Sequence, residues 1–218
     1  MVTTVFLIRH GETEGAETKR YKGHIDVPLS DNGIEQMKRL AAFIAKRVKG
    51  QGSGVREKEH LTPCLLHLAA IYCSDLSRAV KSADIIAGPF GVKPVIVPEL
   101  KERNFGMWEG MTFDEIKEKW PDAFKSWAAN PLKFSPMEGE STLEARDRAV
   151  PVFHKILNGH KGGSIAIVSH GGIIRIILCE LLGIPLENIF RIEQGYGCLN
   201  IIEIHDTYPV AKLINFTV

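Results

Sequence analysis

Thr4-Val5-Phe6-Leu7-Ile8 is an unbroken β-branched and apolar run, and Arg9-His10-Gly11-Glu12-Thr13 follows it with no spacer. The run predicts a buried strand that delivers a charged, glycine-containing turn at its carboxyl end. A second passage repeats the arrangement. Ser164 to Val168 reads as a strand, and Ser169-His170-Gly171-Gly172 comes directly after it. Around these two strands, strand and helix patterns alternate. Ser30 reads as a helix N-cap, and Ile34, Met37, Ala41, Ile44 and Val48 then recur at helical spacing. Ala70 to Cys73 reads as a strand and Leu76 to Ala87 as a helix. Val95 to Val97 is a short strand between prolines. Thr112 with Glu115 and Ser141 with Glu144 each match a capping box, so helices start at both. A helix from about Gly172 to Leu182 stops at Gly183. Cys198 to Ile204 and Val210 to Phe216 read as late strands, the second suited to an edge. Strands spaced by helices predict an α/β fold with a largely parallel sheet.

Composition narrows the function classes. The 218 residues suffice for one good core and are few for two. With 27 basic against 26 acidic residues the net charge is +1, so no global electrostatic footprint for nucleic acid or an anionic membrane exists. Ile173 to Leu182 is the most apolar stretch after the first strand. It is interrupted by Arg175 and Glu180 and falls short of the ~20 residues that span a bilayer. The N-terminus has no basic region and no cleavage site of the secretory kind. A soluble, cytoplasmic chain without a membrane or nucleic-acid partner is the expectation. Cys64, Cys73, Cys179 and Cys198 form no C-x-x-C pair, and Cys73 and Cys179 sit in apolar runs as small core residues do. Lys49 to Glu59 is glycine-rich and charged and reads as a surface loop, with Thr62-Pro63 opening a short helix after it.

Chemistry concentrates at strand ends. In open α/β sheets, ligands bind beyond the carboxyl ends of the strands. One histidine there is ordinarily a hydrogen-bonded loop residue. His10 and His170 are two, each followed by glycine, and the glycines let backbone and its N–H groups approach an anion. Ser74-Asp75-Leu76-Ser77-Arg78-Ala79 adds a third strand end at a helix start. There a planar guanidinium and free N–H groups suit a phosphate, although an arginine in a first helical turn is commonly just solvated. Glu99 to Gly110 places Glu102 in an aromatic and glycine-containing loop. That carboxyl is either a general acid or a surface partner of Arg103.

Taken in order, Arg9-His10-Gly11-Glu12-Thr13, Ser74 to Ala79, Glu102 and Ser169-His170-Gly171-Gly172 resemble the histidine phosphatase superfamily, from about Val2 to the C-terminus. The resemblance implies a phosphoglycerate mutase-like three-layer sandwich, a single domain over 1–218, and a lid over about 105–141. It implies that His10 attacks phosphorus, that Arg9, Arg78 and His170 bind the phosphoryl oxygens, and that Glu102 protonates the leaving oxygen and then activates water. Substrate contacts extend by the same resemblance to Gly11, Thr13, Arg20 and Gly171. No metal and no cofactor is expected, since two arginines and a histidine supply the positive charge that phosphoryl transfer requires. The partner is a small phosphorylated metabolite, with a homodimer left open. Arg103 to Gly110 and Glu138 to Ser141 look most like alpha-ribazole phosphatases, which act in cobalamin nucleotide-loop assembly. Alternatives are a broad-specificity or sugar-phosphate phosphatase, a cofactor-dependent phosphoglycerate mutase, and a non-catalytic phospholigand-binding module. Ala16 stands where many members carry an asparagine.

Overall fold

The computed structural model describes residues 1–48 and 68–218. Cys64, the Lys49 to Glu59 loop and the Thr62-Pro63 helix start lie outside the described residues. The strands are β1 (Thr3–Arg9), β2 (Leu68–Cys73), β3 (Val95–Ile96), β4 (Ser164–Ser169), β5 (Leu199–Ile204) and β6 (Pro209–Phe216). They form a six-stranded sheet in the order β3-β2-β4-β1-β5-β6. β1 and β2 both pair in parallel with β4, and β3 in parallel with β2. β5 runs antiparallel to both its neighbours, and β6 closes that edge. The sheet is therefore mostly parallel, as the alternating pattern predicts.

Helices cover both faces. On one lie α1 (Asp31–Val48) and α2 (Ser77–Ala87). Met37, Leu40 and Ile44 of α1 pack with Ala83 and Ile86 of α2 on Phe6, Ile8, Ile71 and Val168 of the sheet. The other face carries α5 (Thr142–Asn158) and α6 (Gly171–Leu182). There Phe153 and Ile177 meet Val5, Leu7, Ile165 and Ile167. Alternate residues of β1 thus enter opposite cores, which is why its sequence is apolar throughout. Burying a side chain of this size contributes about 1.5–3 kcal/mol. α3 (Phe113–Lys119) and α4 (Pro121–Ala129) lie between β3 and α5.

The local signals act as their chemistry requires. The Ser30 hydroxyl accepts from Gly33 N–H at 3.1 Å and caps α1. Both capping boxes are formed, at Thr112 for α3 and at Ser141 for α5. Gly183 ends α6 at φ 62°, a left-handed conformation that favours glycine. No helix is long and apolar enough to cross a membrane among the described residues. Cys73, Cys179 and Cys198 are buried free thiols.

Candidate active site

The sheet register assembles the site. Arg9 at the end of β1 sits opposite Ser169 of β4, and Cys73 of β2 lies opposite Val168 of the same strand. The next residues along each chain, His10, His170 and Ser74, therefore emerge side by side. The two imidazoles, 160 positions apart in sequence, have ring centroids 5.0 Å apart.

His10 is 5% exposed, and its Nδ1 lies 2.7 Å from the Gly11 carbonyl oxygen. A carbonyl can only accept, so the ring's proton resides on Nδ1 and the lone pair on Nε2. Burial, reinforced by Arg9 and Arg78, holds the His10 pKa well below its ordinary value. The ring is thus neutral, in the tautomer a nucleophile needs. His170 is fully buried, with Nε2 2.7 Å from the Ser74 hydroxyl. Burial, then the neighbouring His10 ring and the Arg78 and Arg9 guanidiniums, also lowers its pKa well below the ordinary value. When Ser74 Oγ–H donates to Nε2, the remaining proton lies on Nδ1.

That Nδ1 and Arg9 Nε are buried without a hydrogen-bond partner among the described residues. Leaving a buried donor unpaired costs about 1–3 kcal/mol each. Two such donors beside the neutral His10 ring are suited to an acceptor such as an oxyanion. Arg9 is otherwise fixed, through NH1 to the Gln194 carbonyl at 2.6 Å and by the Tyr196 ring 3.9 Å from its guanidinium carbon. Arg78, 2% exposed, donates to the carbonyls of Ile25 at 2.8 Å and Gly23 at 2.7 Å. Asp26 in turn accepts from the backbone N–H and hydroxyl of Ser77 at the start of α2, tying the 23–26 loop to the helix that carries Arg78.

Glu102 lines the same cavity as His10 and Arg78. Its Oε2 accepts from Gly172 N–H at 3.0 Å, and its Oε1 from Arg103 N–H at 2.9 Å. The Arg103 guanidinium goes elsewhere, to Glu140 O, Thr142 Oγ1 and Phe134 O. The carboxyl is therefore held by backbone donors at the mouth of α6, not by a surface ion pair. Arg9, His10, Arg78 and Glu102 line one cavity of about 570 Å³. Its outer walls are aromatic: Tyr21, Phe105, Trp108, Phe113, Trp127 and Phe190.

Gly171 lines the cavity against Arg9. Arg20 lies at its rim, where the guanidinium is engaged with Glu115 at 2.6 and 2.8 Å and with Gly110 O at 2.7 Å. Thr13 is buried behind the wall, its hydroxyl accepting from Lys22. The Gly11 N–H is not free for an anion: it donates to Ser82 Oγ at 3.2 Å. The Gly11 contribution is its carbonyl, which fixes the His10 tautomer. Sequence reasoning passed over Tyr196 and Arg175, which also line the cavity. Arg175 was legible, four residues after Gly171 and so on the same face of α6. Tyr196 had no signal beyond its flanking glycines. Among the described residues no group of three or more His, Cys, Asp or Glu side chains is placed to hold a metal ion.

A neutral buried imidazole, two arginines, a second buried histidine and a carboxyl thus gather at the strand ends of a mostly parallel sheet, a set of groups suited to binding and transferring a phosphoryl group. The model of the histidine phosphatase superfamily (branch 1) matches residues 5–51 and 53–217, and the chain belongs to that family. It is 32% identical over 202 residues to phosphoglycerate mutase-like protein 4 of Arabidopsis thaliana, covering 88% of this chain and 80% of that one. It is 28% identical over 213 residues to phosphoserine phosphatase 1 of Hydrogenobacter thermophilus, covering 98% and 92%. A solved structure from Escherichia coli K-12, assigned as a proposal to an alpha-ribazole-5'-P phosphatase, superposes with a TM-score of 0.82 at 25% identity, covering 98% and 96%. The fold is phosphoglycerate mutase-like, and the chain is a phosphatase of this family.

Proposed function

We propose that this chain hydrolyses a small phosphomonoester through a phosphohistidine at His10, and that alpha-ribazole 5'-phosphate is its substrate. The observation that carries the reaction is the neutral His10, with its lone pair on Nε2, lying beside two buried donors that lack partners among the described residues.

The geometry supports a two-step course. In the first, the phosphoryl group sits with its oxygens on Arg9, Arg78 and His170 Nδ1–H. Nε2 of His10 attacks phosphorus in line, the phosphorus–oxygen bond to the leaving group breaks, and the Glu102 carboxyl protonates the departing oxygen. In the second, Glu102 takes a proton from water, the water oxygen attacks phosphorus, and the phosphorus–nitrogen bond breaks. Inorganic phosphate leaves, and His10 is neutral again. Positioning and fixed positive charge do most of this work, as phosphoryl transfer requires.

The walls support the substrate. The organic part of alpha-ribazole is a nucleoside with a flat, apolar base, which suits walls of Tyr21, Phe105, Phe113 and Trp127. Among the residues lining the cavity Glu102 is the one carboxylate, so the ammonium of phosphoserine would have no second acidic partner. In this reading the whole chain works as one domain, and the 105–141 segment, which contributes Phe113 and Trp127, acts as its lid.

The test is phosphate release from alpha-ribazole 5'-phosphate, phosphoserine, 3-phosphoglycerate and fructose 2,6-bisphosphate. A preference in kcat/KM of about 100-fold for alpha-ribazole 5'-phosphate, roughly 2.7 kcal/mol, is expected. A comparable preference for another ester, or uniformly slow release, would reject the substrate and keep the phosphatase. Absence of release from all would reject the mechanism.

A further inference from the structure

Glu109 is not one of the groups around the phosphoryl pocket, yet three backbone N–H groups converge on it. Its Oε1 accepts from His24 N–H at 2.7 Å and Phe105 N–H at 3.0 Å, and its Oε2 accepts from Ile25 N–H at 3.0 Å. Among the described residues it forms no ion pair with a lysine, arginine or histidine. A carboxylate that spends its lone pairs on backbone donors fixes backbone.

The backbone it fixes is the one that aims Arg78. Gly23 O and Ile25 O, on either side of the His24 N–H, are the two carbonyls that accept from the Arg78 guanidinium. Between them, the His24 ring reaches the Glu102 carbonyl oxygen, with Nε2 at 2.8 Å. The loop's far end is fixed by Asp26 to the start of α2. Its near end meets α2 through Arg78 itself, at Gly23 O, and Glu109 holds the backbone there from its N–H side. Gly23 has φ 48°, and a Cβ there would lie 2.0 Å from Glu109 Oε1, so the loop backbone is pressed directly on the carboxylate. Arg78 itself forms no ion pair among the described residues, so its direction depends on those two carbonyls.

We infer that Glu109 is a positioning residue for Arg78: by gathering the N–H groups of His24, Ile25 and Phe105 it sets the carbonyls of Gly23 and Ile25 that aim the guanidinium at the phosphoryl group. This rests on the reading that Arg78 binds phosphoryl oxygens. Removing the negative charge while keeping the shape turns one acceptor into an NH2 that faces a backbone N–H, and the loop must shift to relieve the clash of donors. The loss is then in the use of Arg78 and not in the fold at large.

A double-mutant cycle on p-nitrophenyl phosphate hydrolysis tests it, with Glu109→Gln and Arg78→Ala made singly and together. Glu109→Gln is expected to lower kcat/KM by about 10-fold in the wild-type background and by less than about twofold when Arg78 is already absent, because there is then no guanidinium to misdirect. Glu109→Asp, which keeps the charge on a shorter stem, should fall between wild type and Glu109→Gln. It serves as the second arm if Glu109→Gln does not fold by thermal melting. An equal loss in both backgrounds, or no loss in the wild type, overturns the inference. If Arg78→Ala alone leaves kcat/KM unchanged, the underlying reading of Arg78 fails instead.

Discussion

Gly172→Ala is the sharpest single test of the role assigned to Glu102. Gly172 is the second residue of α6, and an added Cβ would stand 2.4 Å from Glu102 Oε1 and 3.3 Å from its Cδ. Ordinary contact begins at 3.4 Å, so the carboxyl oxygen must retreat by about 1.0 Å. The atoms in the way belong to the end of a flexible side chain, so the fold gives way easily. Alanine is also favoured over glycine within a helix, by up to about 1 kcal/mol. Melting temperature should therefore stay level or rise. Turnover should move the other way. A misplacement of about 1 Å in a reacting group can cost ~100-fold, or about 2.7 kcal/mol of transition-state stabilisation.

The assay is kcat on an alkyl phosphomonoester beside p-nitrophenyl phosphate, with a thermal melt on the same preparation. The loss should be large for the alkyl ester, whose alkoxide needs a proton to depart. It should be small for the nitrophenyl ester, whose phenolate leaves without one. A kcat within about threefold of wild type on the alkyl ester would refute the placement of Glu102 as the acid. An equal loss on both esters would mean the added methyl disturbs phosphate binding instead.

Other perturbations bear on separate parts of the site. His10→Ala removes the nucleophile and should reduce phosphate release to background and abolish acid-quenched phosphohistidine labelling; near-normal release would end the covalent mechanism. Gly11→Ala should behave oppositely to Gly172→Ala, because its Cβ would meet the Gly33 backbone, 2.4 Å from the carbonyl oxygen. Backbone cannot swing away, so a loss of about 1–3 kcal/mol in a denaturant melt is expected, and an unchanged midpoint would contradict the packing. Folding lowers the pKa of both His10 and His170, so below the unfolded value of 6.5 the unfolded chain binds more protons than the folded one. Stability should be level above pH 6.5 and decline as pH falls below it, by up to about 1.4 kcal/mol per unit for each histidine that stays neutral. NMR of the imidazoles at pH 6 should find both neutral, with His10 protonated at Nδ1; a charged His10 there would refute the assignment.

Much of this was written locally, and what was not has a common cause. β1 and β4 were legible because each is a short apolar run ending in a polar, glycine-containing turn, and His10 and His170 were legible because they stand at those ends. The capping boxes at Thr112 and Ser141 were legible because each is closed within four residues. The reversed direction of β5 was not, since an apolar strand reads alike in either direction and its pairing with β1 spans nearly the whole chain. Tyr196 escaped for the same reason: its contact is with Arg9, and nothing near residue 196 announces a guanidinium. The Gly11 N–H is not the free donor the sequence suggests, because nothing near residue 11 shows that Ser82, 71 positions on in α2, claims it.

The same distinction explains how the site sustains its charge. Burying a guanidinium is costly without a carboxylate, yet the buried Arg78 and the partly buried Arg9 are held by carbonyls and an aromatic face. Carbonyl dipoles orient a guanidinium without neutralising it. A carboxylate in the same place would compete with the phosphoryl group for the same donors and weaken binding. Two acidic side chains are instead set one step back: Asp26 ties the loop to α2, and Glu109 gathers the loop's N–H groups. Glu102, which lines the cavity, is held by backbone donors and forms no ion pair with either arginine among the described residues. Full positive charge therefore faces the nucleophile, which burial keeps neutral. In the proposed reaction it is the substrate's oxyanion that satisfies Arg9 Nε and His170 Nδ1, neither of which has a partner among the described residues.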